Sequence, residues 1–453
     1  MKKIFVSVTL CFIMLFTLLA GSGCSGSKDK VTLNMWHVYG SQTESPLNEL
    51  IDEFNDTVGK DEGISIQVTS VSNTNTIHDD ILSSVSGEAG SQEMPDMFIS
   101  YPKTVLALPD QDILVDYNDY FSEDELSAYI PEFLEEGTID GKLNVFPVAK
   151  STEILFVNKT LFDRFAEATG ASTDQLATWE GLFSLAVKYY DWTDSQTPDV
   201  AGDGKAFFTH DYLFNYLQVG VESLGTDFFD KDSIFFSSDF QKVWNAYGEA
   251  AVKGGMWLQE GYATEPLRTG DAIVSIGSSA SVLYYKDEVT YEDNTSEPVE
   301  IEAYPCPVFA DGKKMVMQRG AGFCTVKSTP EKEKAAAVFL KWLTEPECNV
   351  RFVTSVGYMP VTQEAFDSCL SDAIDGLESD KYKSLYKTML KMQSEYTFYT
   401  APQLDNYLDL EEKTEKYMRA ELSQAREVYR ADPSSDVSGL LSKSMENFRQ
   451  DIS

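Results

Sequence analysis

Between Val31 and Tyr101 the sequence switches its hydrophobic period four times, and this switching limits the possible folds more than any other feature. Residues 31–35 form a short strand-like run. In SPLNELIDEFND (45–56), Leu47, Leu50, Ile51 and Phe54 recur at the spacing of one helix face, and Pro46 suits a first helical turn. ISIQVTSV (64–71) alternates as a strand, IHDDILSSV (77–85) reads as a helix, and PDMFISY (95–101) reads as a short buried strand. This β-α-β-α-β order predicts an α/β fold with a parallel sheet covered by helices. In such sheets a ligand crevice opens beyond the carboxyl ends of the strands. Trp36, His37 and Tyr39 follow the first strand, and Tyr101 follows the third.

A second alternating series begins near residue 141. NVFPVA (144–149) is strand-like but interrupted by Pro147, hence an edge or a connection. EILFVN (153–158) is a strand and KTLFDRF (159–165) a helix. TWEGLFSLAVKYY (178–190) is a helix with Thr178 as its N-cap. Further helices are expected at 212–224 and 239–254. AIVSIG (272–277) is a buried strand, 299–309 a strand pair around a proline, and 321–327 another strand. Helices follow at 330–344 and 345–357, and the last third is mostly helical, with Leu441, Met445 and Phe448 as a final apolar stripe. Two α/β lobes without a Gly/Ser linker result. Lobes joined by crossing strands suit a hinge.

The N-terminus precedes this fold. Lys2 and Lys3, the apolar run 4–20 and the small residues after it have the layout of a secretory signal. The run ends in AGSGC, which looks like a bacterial lipoprotein processing site, although Gly21 stands where Leu is usual. Residues 1–23 are then a signal peptide, Cys24 the lipidated first residue, and 24–30 a polar tether. GSGCSG (21–26) matches a dinucleotide fingerprint only formally, because no strand precedes it and no helix follows.

Composition narrows the class. The remaining chain of about 430 residues allows two or three domains, and 43% hydrophobic with 12% aromatic residues supplies a globular core. A net charge of -37 argues against nucleic acid or anionic lipid as partner. Cys306, Cys324, Cys348 and Cys369 are widely spaced; buried free thiols are the default, with one disulfide open in an oxidising location. Three histidines without HExxH make a zinc site unexpected. DVAGDGK (199–205) is a poor calcium loop, with Ala201 at a ligand position. There is no P-loop and no GxSxG elbow, and no cofactor or metal is expected.

The order of segments resembles the bacterial extracellular solute-binding proteins of ABC transporters, in the carbohydrate-binding group that includes maltose-binding and glycerol-phosphate-binding proteins. The likeness rests on VTLNMWH with NELIDEFN, PDMFISY with LPDQDILVDYNDYF, GKLNVFPVAKSTEILFVNKTLF, ATWEGLFSLA, RTGDAIVSIGSSA, and EKEKAAAVFLKWLTEPECNVRFVTSVGYMPVTQEAF. It implies a two-lobed periplasmic-binding-protein-like fold with discontinuous lobes: 31–142 with 305–352, and 143–304 with 353–453. It also implies a carbohydrate-like ligand in the interlobe cleft, delivery to ABC permease subunits, a lipid anchor at the outer face of the cell membrane, and a monomer.

Positions matching the family's cleft segments are Trp36, His37, Tyr39, Tyr101, Ser151, Thr152, His210, Asp211, Ser278, Ser279, Arg319, Gly320 and Tyr358, with Trp257 as a looser candidate. Aromatic rings would cover sugar faces, and polar groups would bind hydroxyls. Each residue also has an ordinary role. Trp36, Tyr101 and Tyr358 fit core packing, Tyr39 and His210 a loop surface, His37 a structural hydrogen bond, and Arg319 an ion pair. Ser151, Thr152, Asp211, Ser278 and Ser279 fit turns or caps. A phosphate ligand would call for an Arg fork, and the corresponding segment FYTAPQLDNY (398–407) has no Arg, although Arg319 is a conceivable substitute. A neutral sugar is therefore favoured over glycerol phosphate. The rival classes are an extracellular carbohydrate-active enzyme, which needs two carboxylates across the sugar, and a sensor or chemotaxis partner on the same fold.

Overall fold

The computed structural model describes residues 30–39 and 45–452. The expected signal peptide, Cys24 and the tether before Lys30 lie outside the described residues.

Ten strands build two sheets. In chain order they are β1 (Val31–His37), β2 (Ile64–Ser70), β3 (Met97–Ser100), β4 (Ser151–Asn158), β5 (Phe208–His210), β6 (Val274–Ser278), β7 (Ile301–Tyr304), β8 (Met315–Arg319), β9 (Gly322–Thr325) and β10 (Thr397–Tyr399). The first sheet has the order β9-β3-β1-β2. β1 runs parallel to both neighbours, with Trp36 opposite Thr69 and Phe98, and β9 is antiparallel to β3. The second sheet has the order β10-β8-β4-β6-β5, with β7 also on β4. All eight residues of β4 are buried, as a strand covered on both faces requires.

The helices used below are α1 (Pro46–Asp56), α2 (Thr74–Ser86), α3 (Pro102–Leu106), α4 (Leu213–Ser223), α5 (Pro330–Leu343), α6 (Pro346–Val356) and α7 (Tyr407–Ala431). Their starts follow from capping chemistry. Asn48 N donates to Ser45 Oγ at the head of α1, Thr76 N donates to Asn73 Oδ1 at the head of α2, and Lys332 N donates to Thr329 Oγ1 at the head of α5. The stripe Leu47, Leu50, Ile51 and Phe54 is buried as its spacing requires, and Phe54 meets Phe339 and Trp342 of α5 edge-on or tilted. Thr178 likewise caps the helix Trp179–Asp194.

Two segments differ from the expected pattern. Residues 144–149 form no strand; Pro147 breaks the ladder, leaving the single bridge Phe146 to Phe323. The expected pair around Pro305 is one strand, β7, followed by an excursion that returns to β4 as β8.

The chain passes between the sheets at three adjacent places. These are the approach to β4, the turn from β8 to β9, and the bridge from Lys150 to Met359. Met315–Arg319 thus pairs in the second sheet and Gly322–Thr325 in the first, so this crossing lies at 319–322. Gly320 has φ +111°, and a Cβ there would stand 2.8 Å from Lys150 Cα, so only glycine fits the crossing. Lys150 is buried among these strands. Its ammonium donates to Glu136 Oε2 at 2.8 Å and to the Gly320 carbonyl at 2.9 Å. Among the described residues the four cysteines, Cys306, Cys324, Cys348 and Cys369, are free thiols; the first three are buried and Cys369 is partly exposed.

Candidate functional site

A cleft of about 530 Å³ opens beside these crossings, within the size range of small-molecule sites. The first-lobe wall is the head of α2, from Asn73 to Asp79, with Tyr101, Pro102 and Lys103 at the β3–α3 junction. The second wall is Tyr212 and Asn215 at the start of α4, the end of β8, and Tyr262. The segment from Thr400 to Leu404, with Tyr407, Leu408 and Glu411 of α7, closes one side.

Aromatic rings and polar side chains alternate around this space. The Arg319 guanidinium lies flat against Tyr212, 3.9 Å from the ring centroid. Its Nη1 is buried without a hydrogen-bond partner. Lys103 Nζ donates to Asn75 Oδ1 at 3.2 Å and sits 5.8 Å from the Tyr101 ring centroid. Asn215 Nδ2 donates to Glu153 Oε1 at 2.7 Å, and Gln218 Nε2 donates to the Tyr407 hydroxyl at 2.9 Å. Burial raises the Glu153 carboxyl to about 7 against the opposing pull of Arg319 and Asn215, so it is readily protonated beneath the cleft floor. Glu415, half-buried in α7 and paired with Arg419, is also raised to about 7, chiefly by desolvation and against the pull of Arg419. Formal charges along the walls cancel: Lys103 and Arg319 face Asp79 and Glu411, and Glu136 is paired with Lys150.

Of the residues singled out by sequence, Tyr101 and Arg319 line this cleft. Trp36, His37 and Tyr39 are buried in the first lobe. His37 Nε2 meets Asn48 Oδ1 at 2.8 Å, and its Nδ1 accepts from Tyr39 N. The Tyr39 ring packs edge-on against Phe352 and Tyr358, and its hydroxyl donates to the Ala321 carbonyl. Tyr358 is half-buried beside it. Ser151 and Thr152 are interior to β4, where Thr152 Oγ1 donates to the Met317 carbonyl. His210 is buried, with Nδ1 accepting from Tyr212 N. Asp211 Oδ1 accepts from Ala263 N, tying down the 257–263 loop. Ser278 caps the short 3₁₀ turn Ser279–Leu283, and Ser279 is buried within it. Trp257 is half-buried, its backbone joined to Phe208. Gly320 serves the crossing.

Beyond the candidates visible in the sequence, the lining includes Asn73, Asn75, Asp79, Lys103, Glu136, Tyr212, Asn215, Tyr262, Gln318, Gln403, Tyr407 and Glu411. The carboxyl-end rule would have found Asn73 and Asn75, which follow β2. Tyr212 stands two residues beyond β5. Among the described residues no group of His, Cys, Asp or Glu is arranged to hold a metal ion, and no helix is long and apolar enough to cross a membrane.

Two sheets joined by crossing strands, with a polar, aromatic cleft at the crossing, define a two-lobed binding-protein fold. Residues 49–383 match the sequence profile of the bacterial extracellular solute-binding proteins, and the chain belongs to that family. It is a solute-binding protein, not an enzyme. Solved structures of the same fold include the cyclic alpha-maltosyl-1,6-maltose binding protein from Arthrobacter globiformis. That protein is 18% identical with TM-score 0.68, over 93% of this chain and 99% of that one. UgpB from Mycobacterium tuberculosis in complex with glycerophosphocholine is 16% identical with TM-score 0.66, over 93% and 98%. An ABC substrate-binding protein from Listeria monocytogenes in complex with cycloalternan is 15% identical with TM-score 0.66, over 93% and 99%. Comparison with curated proteins gives no significant match.

Proposed function

We propose that this chain is a lipid-anchored receptor that captures a neutral sugar or oligosaccharide in the cleft and delivers it to an ABC permease. The observation that carries this reading is the cleft lining. Tyr101, Tyr212, Tyr262 and Tyr407 offer flat apolar faces, amide side chains of Asn75, Asn215, Gln318 and Gln403 stand among them, and the charges cancel. Pyranose rings need this mixture: apolar CH faces to cover and hydroxyls to bind. Structural neighbours with maltose, mannotriose and cycloalternan bound support the ligand class. Tyr101 and Arg319 are the proposed contacts from the sequence reading, joined by Tyr212, Asn215 and Gln318. Closure of the two sheets about the crossings at 150 and 320 would carry the bound state to the permease.

A glycerol-phosphate or phosphodiester ligand is the second reading, favoured by the unpartnered Nη1 of Arg319 and by the likeness to UgpB. The carboxylates of Asp79 and Glu411 beside the two cations weigh against a dianion. A thermal-shift screen of sugars, glycerol phosphates and phosphodiesters separates the two, because a ligand of the native state alone raises the melting temperature. Shifts with phosphodiesters and none with carbohydrates would replace the first reading by the second. Lipidation at Cys24 is tested by mass spectrometry of the membrane-extracted protein, with Cys24→Ala releasing it to the medium.

A further inference from the structure

The cleft does not end at the Arg319–Tyr212 stack. Tyr262, which lines its edge, is 71% exposed, Tyr284 is 63% exposed and Leu283 is 40% exposed. Most tyrosines in the chain are buried or half-buried, so two open rings in one neighbourhood call for an explanation.

Their positions are fixed by the sheet. β5 and β6 are parallel neighbours, with Ile276 opposite His210. Asp211 follows β5, and the 3₁₀ turn Ser279–Leu283 follows β6 and delivers Tyr284. Asp211 fastens the first loop: its Oδ1 accepts from Ala263 N at 2.6 Å, next to Tyr262, and the missing side chain of Gly277 on β6 leaves room for its Oδ2. The 3₁₀ turn is braced from behind by Gly357, whose missing side chain leaves room for Val282 and the Ser279 carbonyl. Tyr284 N closes the turn onto the Ser281 carbonyl at 2.8 Å. The two rings therefore stand on anchored loops at the carboxyl ends of adjacent parallel strands, where such sheets place ligands. Tyr101, Tyr212 and Tyr262 line the cleft, and Tyr284 stands on the loop that follows the adjacent parallel strand.

We infer that Tyr262 and Tyr284 form an outer subsite that stacks an additional pyranose ring, so the preferred ligand is an oligosaccharide that extends from the cleft past Tyr262. This rests on the carbohydrate reading above. A rigid, exposed ring offers a stacking face at low entropic cost. Leu283 widens the apolar platform.

The test is a calorimetric titration of the full chain, less its signal, with linear oligosaccharides of two to six rings in α-1,4-glucan, α-1,6-glucan and β-1,4-mannan linkage. In the wild type, affinity rises with length until the outer ring is covered. In Tyr284→Ala the ratio of long-chain to two-ring affinity falls about tenfold, the contribution of one aromatic platform, and Tyr284→Phe restores it. Because the ring is exposed, the Ala variant is expected to melt with the wild type. Affinity that is flat with length, or a Tyr284→Ala ratio equal to wild type, overturns the outer subsite and leaves the sugar reading standing. Binding of none of the three series overturns both.

Discussion

The ends of β1 and β3 are equivalent by position: adjacent parallel strands with aromatic residues at their carboxyl ends, on the side where a crevice is expected. They have different fates. Beyond β3, Pro102 starts α3 at once, which fixes the chain direction and leaves Tyr101 against the cleft. At the end of β1 the chain turns inward. His37 is bonded to Asn48 of α1, Ser45 Oγ reaches the Tyr39 carbonyl, and the Tyr39 ring is enclosed by Phe352 and Tyr358. Trp36 is only 4% exposed. A strand end near a cleft presents its aromatics only if no neighbouring element packs over them. Here α1 and α6 cover the carboxyl end of β1 through Asn48 and Phe352, whereas α2 and α3 leave Tyr101 facing the cleft.

The largest expected effect is a double dissociation at these two ends. Trp36→Ala should lose about 3–5 kcal/mol of stability, as deletion of a buried indole does, measured by urea denaturation. Tyr101→Ala should stay within about 1–2 kcal/mol of wild type and bind the selected sugar at least about tenfold more weakly. A stable Trp36→Ala with lost affinity would reverse the assignment of the two ends.

Next comes the crossing between them. Lys150→Met leaves Glu136 half-enclosed without its cation, a loss of about 3 kcal/mol by the cost of breaking such a pair. Glu136 also lines the cleft, so affinity should fall with stability. Lys150→Met/Glu136→Gln should recover much of the stability, because no lone charge remains. Failure of the double variant to recover would mean that the bond to the Gly320 carbonyl, not the pair, holds the crossing.

Local structure was legible in the sequence wherever one residue decides it. Pro46 and Thr178 each start the helix their chemistry demands, and Pro147 breaks its strand. The two-sheet arrangement followed from the segment order. The cleft was less legible because its walls depend on strand order. That β2 is an edge strand whose following loop faces β8 and α7 is set by tertiary pairing, not by any local pattern. The segment 398–407 is a case in point: noted only for its missing Arg, it borders the cleft through Thr400 to Leu404. Arg319 was visible as a cation, but its stacking on Tyr212 depends on residues 107 positions apart in sequence (319 − 212) being brought together.

A smaller effect separates the two regions by pH. Burial lowers His37, against its bond to Asn48, and lowers His210 to about 3. A depressed base is stabilising only while neutral, so this contribution is lost as pH falls through 6.5. Glu153 is an acid raised from 4.5 to about 7, so its destabilising effect above pH 7 is relieved on acidification towards 4.5. Melting temperature should therefore change little above about pH 7.5, climb as pH falls through 7 to about 6.5, and level off and then decline below about 6.5, where the histidine loss opposes the continuing relief of Glu153. Glu153→Gln should flatten the alkaline limb and His37→Gln part of the acid limb. An alkaline limb that persists in Glu153→Gln assigns it to Glu415, the other carboxyl raised to about 7.

The smallest expected effect is at Lys103, two residues beyond Tyr101 on the open end. In a cleft of balanced charge holding a neutral sugar, this ammonium donates one exposed hydrogen bond and steers nothing. Lys103→Gln should change affinity by less than about threefold, the worth of an exposed polar contact. Raising salt from about 50 to 500 mM should leave wild-type affinity nearly unchanged, since screening acts on charged ligands. A phosphate ligand would behave otherwise: it would lose much of its affinity in Lys103→Gln, and more with added salt. The open end of β3 then distinguishes the two ligand classes, while the closed end of β1 is silent in both experiments because its side chains are occupied within the fold.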